Sequence, residues 1–252
     1  SHSPLFGRMF RLDGCAMTSE ADEFIYHENL IHVPGLAHAG PRSALVIGGG
    51  DGGSAEELFK YRTMQQVVLV ELDEKVIELA RKYFPAVHRG ALDDPRLELR
   101  VQDGMDYVRR VAPAEGRKFD LVVLDLTDPV GPAAALYQEE FFRACKALLT
   151  EGGALSLHVG APDHQPERVR ELLRRLRAVF ACVRPHLHYI PLYGANWMLA
   201  CASDALDPVS LDPATVDARI AERGLGELRY LDGETYRARL VLPRYLREIV
   251  QP

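Results

Sequence analysis

The chain has 252 residues, 47% of them hydrophobic, and a net charge of −6 with acidic and basic residues mixed along most of its length. This composition suits one full-sized α/β domain with extra structure at its ends. It offers no basic stripe for phosphate groups, so nucleic acid is not an expected partner. No apolar run approaches the roughly 18 residues that a membrane span needs, and no leader segment opens the chain, so no membrane partner is expected.

The four cysteines are widely separated and form neither a CxxC pair nor the spacing of a zinc site. Buried, reduced thiols are therefore expected, and they favour a cytoplasmic protein. The positions are Cys15, Cys145, Cys182 and Cys201.

The N-terminal residues predict a small β appendage. The segments LFGRMFRL and CAMT flank Asp13-Gly14, a turn pair that tolerates positive φ and is typical of a β-hairpin. We therefore divide the chain into an appendage of residues 1–20 and a main domain of residues 21–252.

The main domain begins with a predicted helix over DEFIYHENLIHV. This helix carries Tyr26 and His27, and the Pro34-Gly35 pair is expected to end it. A histidine on such an amphipathic helix is either packed into the core or free to contact a ligand, and both interpretations stay open here.

Strands and helices then alternate along the chain. Each of ALVIG, VVLVE, LELRVQ, FDLVVLDL and GALSLHV predicts a strand, and a helical pattern follows each one. This rhythm predicts an α/β fold with a mostly parallel, Rossmann-like sheet. The stretches VRPHLHYI and NWMLACAS predict two more strands, an antiparallel pair at the far edge of the sheet.

Acidic residues stand where four successive predicted strands end. They are Asp51, Glu71, Asp103, and Asp125 with Asp128. In an open α/β sheet the ligand site lies outside the carboxyl ends of the strands. We therefore expect these carboxylates to converge on one crevice that holds cationic groups.

A glycine-rich loop follows the first strand of the alternating region. Gly48, Gly50 and Gly53 satisfy GxGxxG between a strand and a helix, and Glu71 ends the next strand. The loop lets a nucleotide approach the backbone, and Glu71 is placed to accept hydrogen bonds from ribose hydroxyls. This arrangement fits a dinucleotide enzyme and an adenosyl-sulfonium enzyme equally well.

Two aspartates favour the adenosyl-sulfonium ligand. A carboxylate at Asp103, before Gly104, can accept a hydrogen bond from the exocyclic amine of adenine, although a helix N-cap is the alternative.

Asp51 lies where ordinary methyltransferases hold the carboxylate end of S-adenosylmethionine. Two like charges about 4 Å apart at an effective dielectric near 20 repel by roughly 4 kcal/mol. A donor that lacks the carboxylate and keeps its amine would be attracted. The alternative for Asp51 is a helix cap or a solvated side chain.

Seven ordered segments resemble the polyamine aminopropyltransferases, the spermidine synthase family. They are LDGCAMTSEADEFIYHE, VIGGGDGGSAEEL, VELDEKVIELARKYFP, VQDGMDYV, FDLVVLDLTDPVGPA, IPLY and YRARLVLPRYLREI. The resemblance implies a fold of the S-adenosylmethionine-methyltransferase type, with residues 1–20 a remnant of an N-terminal β-hairpin domain. It also implies transfer of an aminopropyl group from decarboxylated S-adenosylmethionine to a polyamine, by default putrescine to spermidine, with release of methylthioadenosine. The donor is a co-substrate, no cofactor is tightly bound, and a homodimer or homotetramer is expected.

The same resemblance implies roles for individual residues. Asp125, which opens the D-x-x-D-P motif, matches the proton acceptor. The residues that match the amine and aminopropyl path are Tyr26, His27, Asp51, Asp128 and Tyr193. The residues that match contacts to the nucleoside are Gly48, Gly50, Glu71, Asp103, Gly104 and Pro132.

The proposed chemistry explains these residue types. An alkyl amine with a pKa of about 10.4 is protonated at pH 7, and exposing its lone pair costs roughly 4 to 5 kcal/mol. Burial and the like charges of Asp128 and Asp51 are expected to raise the pKa of Asp125, which makes it a better base. Because the sulfonium leaves as neutral methylthioadenosine, no metal is expected.

Three departures from the family pattern lie on the amine side. Leu126 stands where many members have a small hydroxyl residue, His158 where glutamine is common, and GANW follows Tyr193. Spermidine as acceptor, giving spermine or thermospermine, is therefore an alternative. Tyr193 and Trp197 have the further alternative of being core aromatics. A methyltransferase that uses S-adenosylmethionine, and a nucleoside or polyamine sensor without turnover, are the alternatives from other functional classes.

Overall fold

Two β-sheets organise the chain in the computed structural model, which describes residues 1–12, 14–129, 131–226 and 228–250. The smaller sheet contains β1 (His2–Ser3), β2 (Gly7–Leu12) and β3 (Cys15–Ser19), all antiparallel. The pairing of β2 with β3 confirms the predicted hairpin. Its turn residue Asp13 lies outside the described residues, whereas Gly14 has the positive φ, +84°, that the turn requires.

The larger sheet has seven strands. They are β4 (Ser43–Gly48), β5 (Gln66–Glu71), β6 (Leu97–Val101), β7 (Phe119–Asp125), β8 (Leu149–Gly160), β9 (Cys182–Ile190) and β10 (Ala195–Ser203). Their order is β6-β5-β4-β7-β8-β10-β9. The strands from β6 to β8 run parallel, and β10 pairs antiparallel with both β8 and β9. The Rossmann-like sheet and the antiparallel edge pair are thus confirmed.

Helices cover both faces of the larger sheet. They are α1 (Glu23–Ala37), α2 (Gly53–Phe59), α3 (Glu74–Tyr83), α4 (Pro85–His88), α5 (Gly104–Asp106), a π-helical turn (Tyr107–Val111), α6 (Ala112–Ala114), α7 (Glu139–Ala147), α8 (Pro166–Arg177), α9 (Pro213–Arg223), α10 (Gly233–Arg239) and α11 (Arg244–Val250). Short 3₁₀ segments lie at Ala91–Asp93, Gly131–Tyr137, Pro191–Tyr193 and Pro208–Ser210.

The strands of the larger sheet are apolar on both sides because both faces are covered. Along β4, Leu45 and Ile47 belong to the core on one face, and Ala44 and Val46 belong to the core on the other. Strands buried on both faces read as continuous apolar runs, which is why these segments are recognisable in the sequence. Polar side chains are therefore concentrated at the strand ends, where the candidate site lies.

The prediction that Pro34 and Gly35 end α1 is wrong, because the helix continues through both. Proline has no amide hydrogen, so the carbonyl of Leu30 loses its helical partner; Ser156 Oγ donates to that oxygen instead, at 2.6 Å. Gly35 is required by close packing, since a Cβ there would lie 2.3 Å from the hydroxyl of Tyr61. Contacts from distant residues thus keep the helix intact.

The end of α1 is held by a buried arginine. Arg223 donates hydrogen bonds to the carbonyl oxygens of Gly35, His38 and Ala39, at 2.7, 2.7 and 3.2 Å. Charged donors of this kind satisfy carbonyls that have no partner within the helix.

We expect Arg223→Ala to lower the free energy of unfolding by about 2–4 kcal/mol, because three partly buried carbonyls lose a charged donor. Urea denaturation monitored by circular dichroism measures the change. Arg170→Ala is the matched control: Arg170 pairs at the surface with Glu167, and removing such a pair should cost less than about 1 kcal/mol. Equal effects of the two substitutions would contradict this account of α1.

The four cysteines differ in burial. Each of the four cysteines is a free thiol; Cys145 and Cys201 are buried, Cys182 is half-buried, and Cys15 is exposed. The expected burial is therefore found for two thiols, and the expectation is wrong for Cys15.

Among the described residues, no helix combines the length and the hydropathy needed to cross a membrane.

Candidate active site

The structure brings Asp51 and Asp125 together around His27. The Nε2 atom of His27 lies 3.7 Å from Asp51 Oδ2 and 3.9 Å from Asp125 Oδ2. Three separate elements supply the group: α1 carries the histidine, the glycine loop after β4 carries Asp51, and β7 ends at Asp125. The three ligand atoms lie within 4.8 Å of one another, an arrangement that can hold a metal ion or an organic ammonium group.

Parallel pairing explains why these elements meet. Gly48 and Asp125 are register partners at the ends of β4 and β7. Gly48 has φ +81°, and a Cβ at this position would lie 2.1 Å from the carbonyl oxygen of Asp125. Only glycine fits so close to the neighbouring strand. A second close approach occurs at Gly53, where a Cβ would lie 2.2 Å from the ring of His27.

His27 carries a positive charge at neutral pH. Burial lowers its pKa, but Asp51, the hydrogen bond to Glu23 and Asp125 outweigh burial and raise the pKa to about 10. The Nδ1 atom lies 2.8 Å from Glu23 Oε2, one helical turn away on α1. The imidazolium therefore offsets part of the negative charge of the two aspartates.

The ionisation of His27 predicts a pH dependence of stability. The unfolded pKa is about 6.5, so the stabilising charge is fully present below about pH 6.5 and is lost as the pH rises through about 10. We expect His27→Gln to destabilise the protein most near pH 6, and the difference from wild type to shrink by a few kcal/mol toward pH 10, at about 1.36 kcal/mol per pKa unit.

Chemical denaturation of both proteins between pH 6 and pH 10 measures this difference. His164→Gln, at an exposed position, is the control and should show no such trend. A difference that stays constant, or grows with pH, would contradict an imidazolium at position 27.

Asp125 is a largely buried carboxyl group, with 11% of its side chain exposed, and its acidity is altered. Burial raises its pKa most, His27 and the hydrogen bond from Ser54 lower it, and Asp51 raises it, so that the net shift is upward. Ser54 Oγ donates to Asp125 Oδ2 at 2.6 Å. A carboxyl group in this setting can exchange a proton with a bound amine more readily than an exposed aspartate can.

Asp128, the second carboxylate of the motif, has a cationic partner on another element. Its side chain is 44% exposed, and its Oδ1 lies 3.5 Å from Nη2 of Arg168 on α8. Of the two like charges expected to raise the pKa of Asp125, Asp51 does so. The same effect from Asp128 stays a prediction. Helix α8 thus supplies a partner that the motif alone does not reveal.

Two tyrosines line the same region. Tyr26 is buried, and its ring stands edge-on to His27 with 5.3 Å between the centroids. Tyr193 donates from its hydroxyl to the carbonyl of Met17 at 2.6 Å and packs 4.9 Å from the ring of Trp197. Burial, followed by the charge of Asp125, raises the pKa of both phenols, so both are neutral donors.

Glu71 faces the glycine loop. Its Oε2 accepts from the amide of Gly50 at 3.2 Å, and its Oε1 accepts from the amide of Asp73 at 3.0 Å. Burial raises the pKa of Glu71 despite these bonds. The carboxylate of Glu71 therefore lies directly beside the glycine loop, and nucleotide binding by the two stays a prediction.

Asp103 caps a helix, as one of its two interpretations anticipates. Its Oδ1 accepts from the amides of Met105 and Asp106 at 2.7 and 3.1 Å. Gly104 is the first residue of α5, which begins just beyond β6. Pro132 lies in the 3₁₀ segment, but its side chain is outside the part of the chain that the structure describes.

The two carboxylate oxygens of Asp51 have different neighbours. Its Oδ1 accepts from the amide of Gly53 at 3.0 Å, at the start of α2, while its Oδ2 points toward His27. One carboxylate oxygen therefore shapes the loop, and the other contributes to the charged cluster.

Sequence reasoning missed Glu23 and Ser54. Glu23 precedes His27 by four residues on one helix, a spacing at which side chains meet. Ser54 directly follows the glycine loop on α2. Both positions were visible in the sequence. The role of Ser54 depends on its contact with Asp125, and that of Glu23 on the charge of His27, and only the folded chain shows these.

This fold and site define a class: enzymes with a Rossmann-like sheet of the S-adenosylmethionine-methyltransferase type and a charged crevice at the strand ends. The family description "Spermine/spermidine synthase domain" matches residues 23–211. The chain is 50% identical to the polyamine aminopropyltransferase of Nitrosomonas europaea over 248 residues. This match covers 98% of this chain and 75% of that protein. Polyamine aminopropyltransferase 2 of Hyperthermus butylicus is 40% identical, covering 97% of this chain and 79% of the relative.

Solved structures agree with these relatives. A crystal structure of spermidine synthase in complex with the transition-state analogue AdoDATO has a TM-score of 0.90 and 35% identity, covering 99% of this chain and 83% of that one. Spermidine synthase from Thermotoga maritima has a TM-score of 0.88 and 36% identity, covering 99% and 82%. The chain belongs to the spermine/spermidine synthase family, and it is a transferase of the polyamine aminopropyltransferase type.

Proposed function

We propose that this enzyme moves the aminopropyl group of decarboxylated S-adenosylmethionine to an amine, with putrescine as the default acceptor and spermidine and methylthioadenosine as products. The observation that carries the proposal is the cluster of Asp51 and Asp125 at the glycine loop, which matches a positively charged donor tail. A similar solved structure, a spermidine synthase, binds the analogue AdoDATO.

The charges support the decarboxylated donor over ordinary S-adenosylmethionine. The donor tail is a protonated aminopropyl group on a sulfonium, so both of its charges attract Asp51. The carboxylate of ordinary S-adenosylmethionine would instead be repelled, by up to roughly 4 kcal/mol at about 4 Å and an effective dielectric near 20.

For the nucleoside part of the donor, we assign roles to the residues of the glycine loop and of the next two strand ends. Gly48 and Gly50 allow close approach to the backbone, and Glu71 accepts from the ribose hydroxyls. Next to Gly104, Asp103 accepts a hydrogen bond from the exocyclic amine of adenine. It uses Oδ2, the carboxylate oxygen that makes no hydrogen bond among the described residues. Pro132 is proposed as a further contact to the nucleoside.

The transfer step uses the lone pair of the acceptor amine. The nitrogen attacks the propyl carbon next to sulfur, the carbon–sulfur bond breaks, and its electron pair neutralises the sulfonium. Before this attack, Asp125 takes one proton from the acceptor ammonium, which exposes the lone pair of the nitrogen. Tyr26 and Tyr193 orient the nitrogen, and this positioning supplies much of the acceleration.

The acceptor is held by groups on the amine side. His27 lies at the junction of the donor and acceptor paths, and Asp128 is proposed to bind the distal ammonium while sharing its charge with Arg168. Leu126 shapes this side, and the buried His158 lies behind it against the carbonyl of Leu126. Because both differ from the common residues of the family, spermidine is the second acceptor to be tested.

Further features complete the proposal. We assign residues 1–20 to a remnant of an N-terminal β-hairpin domain and residues 21–252 to a Rossmann-like catalytic domain. The enzyme is proposed to be cytoplasmic and to form a homodimer or homotetramer.

Incubation with decarboxylated S-adenosylmethionine and a panel of putrescine, cadaverine, spermidine and no amine tests the function. Mass spectrometry should find methylthioadenosine in equal amount to one aminopropylated amine. Parallel incubation with ordinary S-adenosylmethionine should yield no S-adenosylhomocysteine. The absence of methylthioadenosine with every amine would refute the transferase proposed here, and S-adenosylhomocysteine would indicate a methyltransferase instead.

A further inference from the structure

We propose that His158 and Tyr137 act together as positioning residues that hold the segment between Asp125 and Asp128 in its reactive geometry. This inference rests on the proposed role of Asp125 as the proton acceptor. Neither residue is assigned a contact with substrate: both act through the backbone that carries the two aspartates.

Three consecutive carbonyl groups at the end of β7 are each held by a different element. The carbonyl of Asp125 accepts from the amide of Gly49 in the glycine loop at 2.9 Å. The carbonyl of Leu126 lies 3.0 Å from His158 Nε2 on β8. The carbonyl of Thr127 accepts from the hydroxyl of Tyr137 at 2.9 Å. This segment has no regular secondary structure, so these contacts determine its path.

His158 and Tyr137 are joined to each other as well as to the backbone. The Nε2 atom of His158 lies 2.6 Å from the hydroxyl oxygen of Tyr137. The side chains are almost inaccessible, with 2% of His158 and 1% of Tyr137 exposed. A buried network of this kind cannot exchange its hydrogen bonds for water without cost, so it rigidifies the segment that it holds.

The hydrogen-bond pattern determines the tautomer of His158. Tyr137 has one hydroxyl proton and donates it to Thr127, so the shared contact with Nε2 requires the ring to donate. The ring proton therefore lies on Nε2, which shares this one proton between the carbonyl of Leu126 and the hydroxyl oxygen of Tyr137. Burial lowers the pKa of His158 more than Asp128 and Asp125 raise it, so the imidazole is neutral.

Trp197 fixes the plane of the imidazole. The two rings stack with 5.7 Å between centroids and 27° between planes. Because the hydrogen bonds set the direction of the ring and the indole sets its plane, His158 has a single orientation. A rigid support matters here, since a shift of about 1 Å in a reacting group can cost about 100-fold in rate.

The test compares His158→Leu, His158→Gln and Tyr137→Phe by steady-state kinetics with decarboxylated S-adenosylmethionine and the accepted amine. Leucine removes the donor to Leu126, and phenylalanine removes the donor to Thr127. We expect each to lower kcat by about 10- to 100-fold with little change in the Kd of the donor, measured by calorimetry. His158→Gln is the conservative variant, because its amide can still donate to Leu126, and kcat should stay within a few-fold of wild type.

Two further readouts separate positioning from plain structural support. The acid limb of the kcat–pH profile, which reports the proton acceptor in the complex, should shift in His158→Leu and return in His158→Gln. The double variant His158→Leu/Tyr137→Phe should lose little more than the worse single variant, because the pair acts as a unit.

The outcomes are distinct. If Tm falls in His158→Leu and Tyr137→Phe while kcat and its pH profile match wild type, the positioning role is wrong and the function stands. If His158→Leu does not fold, Tyr137→Phe alone decides the question by the same criteria. If wild type itself makes no methylthioadenosine, the proposed function fails, and this inference fails with it.

Discussion

Asp125→Asn should retain the fold and the donor affinity of the wild type but lower kcat by about 10²- to 10⁴-fold, the range expected for removing a general base. Asparagine has nearly the same shape, and its amide oxygen can still accept the hydrogen bond from Ser54. What it lacks is a site for the proton that the acceptor amine must lose.

The measurement is kcat by methylthioadenosine release, together with the Kd of the donor by calorimetry and the Tm by circular dichroism. Asp93→Asn is the matched control, since Asp93 is a surface residue paired with Arg81 and its loss should leave kcat unchanged. Wild-type turnover in Asp125→Asn would mean that another group takes the proton.

Asp51→Asn should reduce the preference of the enzyme for decarboxylated S-adenosylmethionine over ordinary S-adenosylmethionine. The full repulsion between Asp51 and a ligand carboxylate is roughly 4 kcal/mol at about 4 Å, which corresponds to about a thousandfold in affinity. The imidazolium of His27, 3.7 Å from Asp51, already offsets part of this charge. We therefore expect the ratio of the two affinities to change by about 10- to 100-fold.

Calorimetry of both nucleosides with wild type and variant gives the ratio directly. Asparagine can still accept the hydrogen bond from the amide of Gly53, so the loop should keep its shape. Asp93→Asn removes the same charge far from the cluster and should leave the ratio unchanged. If Asp51→Asn also leaves the ratio unchanged, charge at position 51 does not select the donor.

The parallel sheet was predictable because its strands are buried on both faces. Each of β4, β5 and β7 is a short, nearly unbroken apolar run, which a single sequence displays without any knowledge of its neighbours.

Two C-terminal helices, α9 and α10, were not predicted, although Asp212 and Asp232 cap them through the amides of Thr215 and Thr235. Each capping aspartate stands three residues before the amide from which it accepts, which is a local signal present in the sequence.

The end of α1 was predicted wrongly for a different reason. A proline followed by a glycine usually ends a helix because the chain loses a hydrogen bond and gains flexibility. Here Ser156 replaces the lost bond and Tyr61 requires the glycine, and both residues are remote in sequence. Local rules cannot include partners that only the folded chain supplies.

The candidate site divides in the same way. The sequence alone was sufficient for the fold class, the family resemblance, the glycine loop and the aspartates at the strand ends, because these follow from local pattern and strand polarity. The tertiary structure alone decided that Arg168 pairs with Asp128, that Glu23 and Ser54 complete the cluster, and that His27 is charged. Ionisation and hydrogen bonding depend on separations of a few ångströms between residues from different elements, and those distances exist only once the chain has folded.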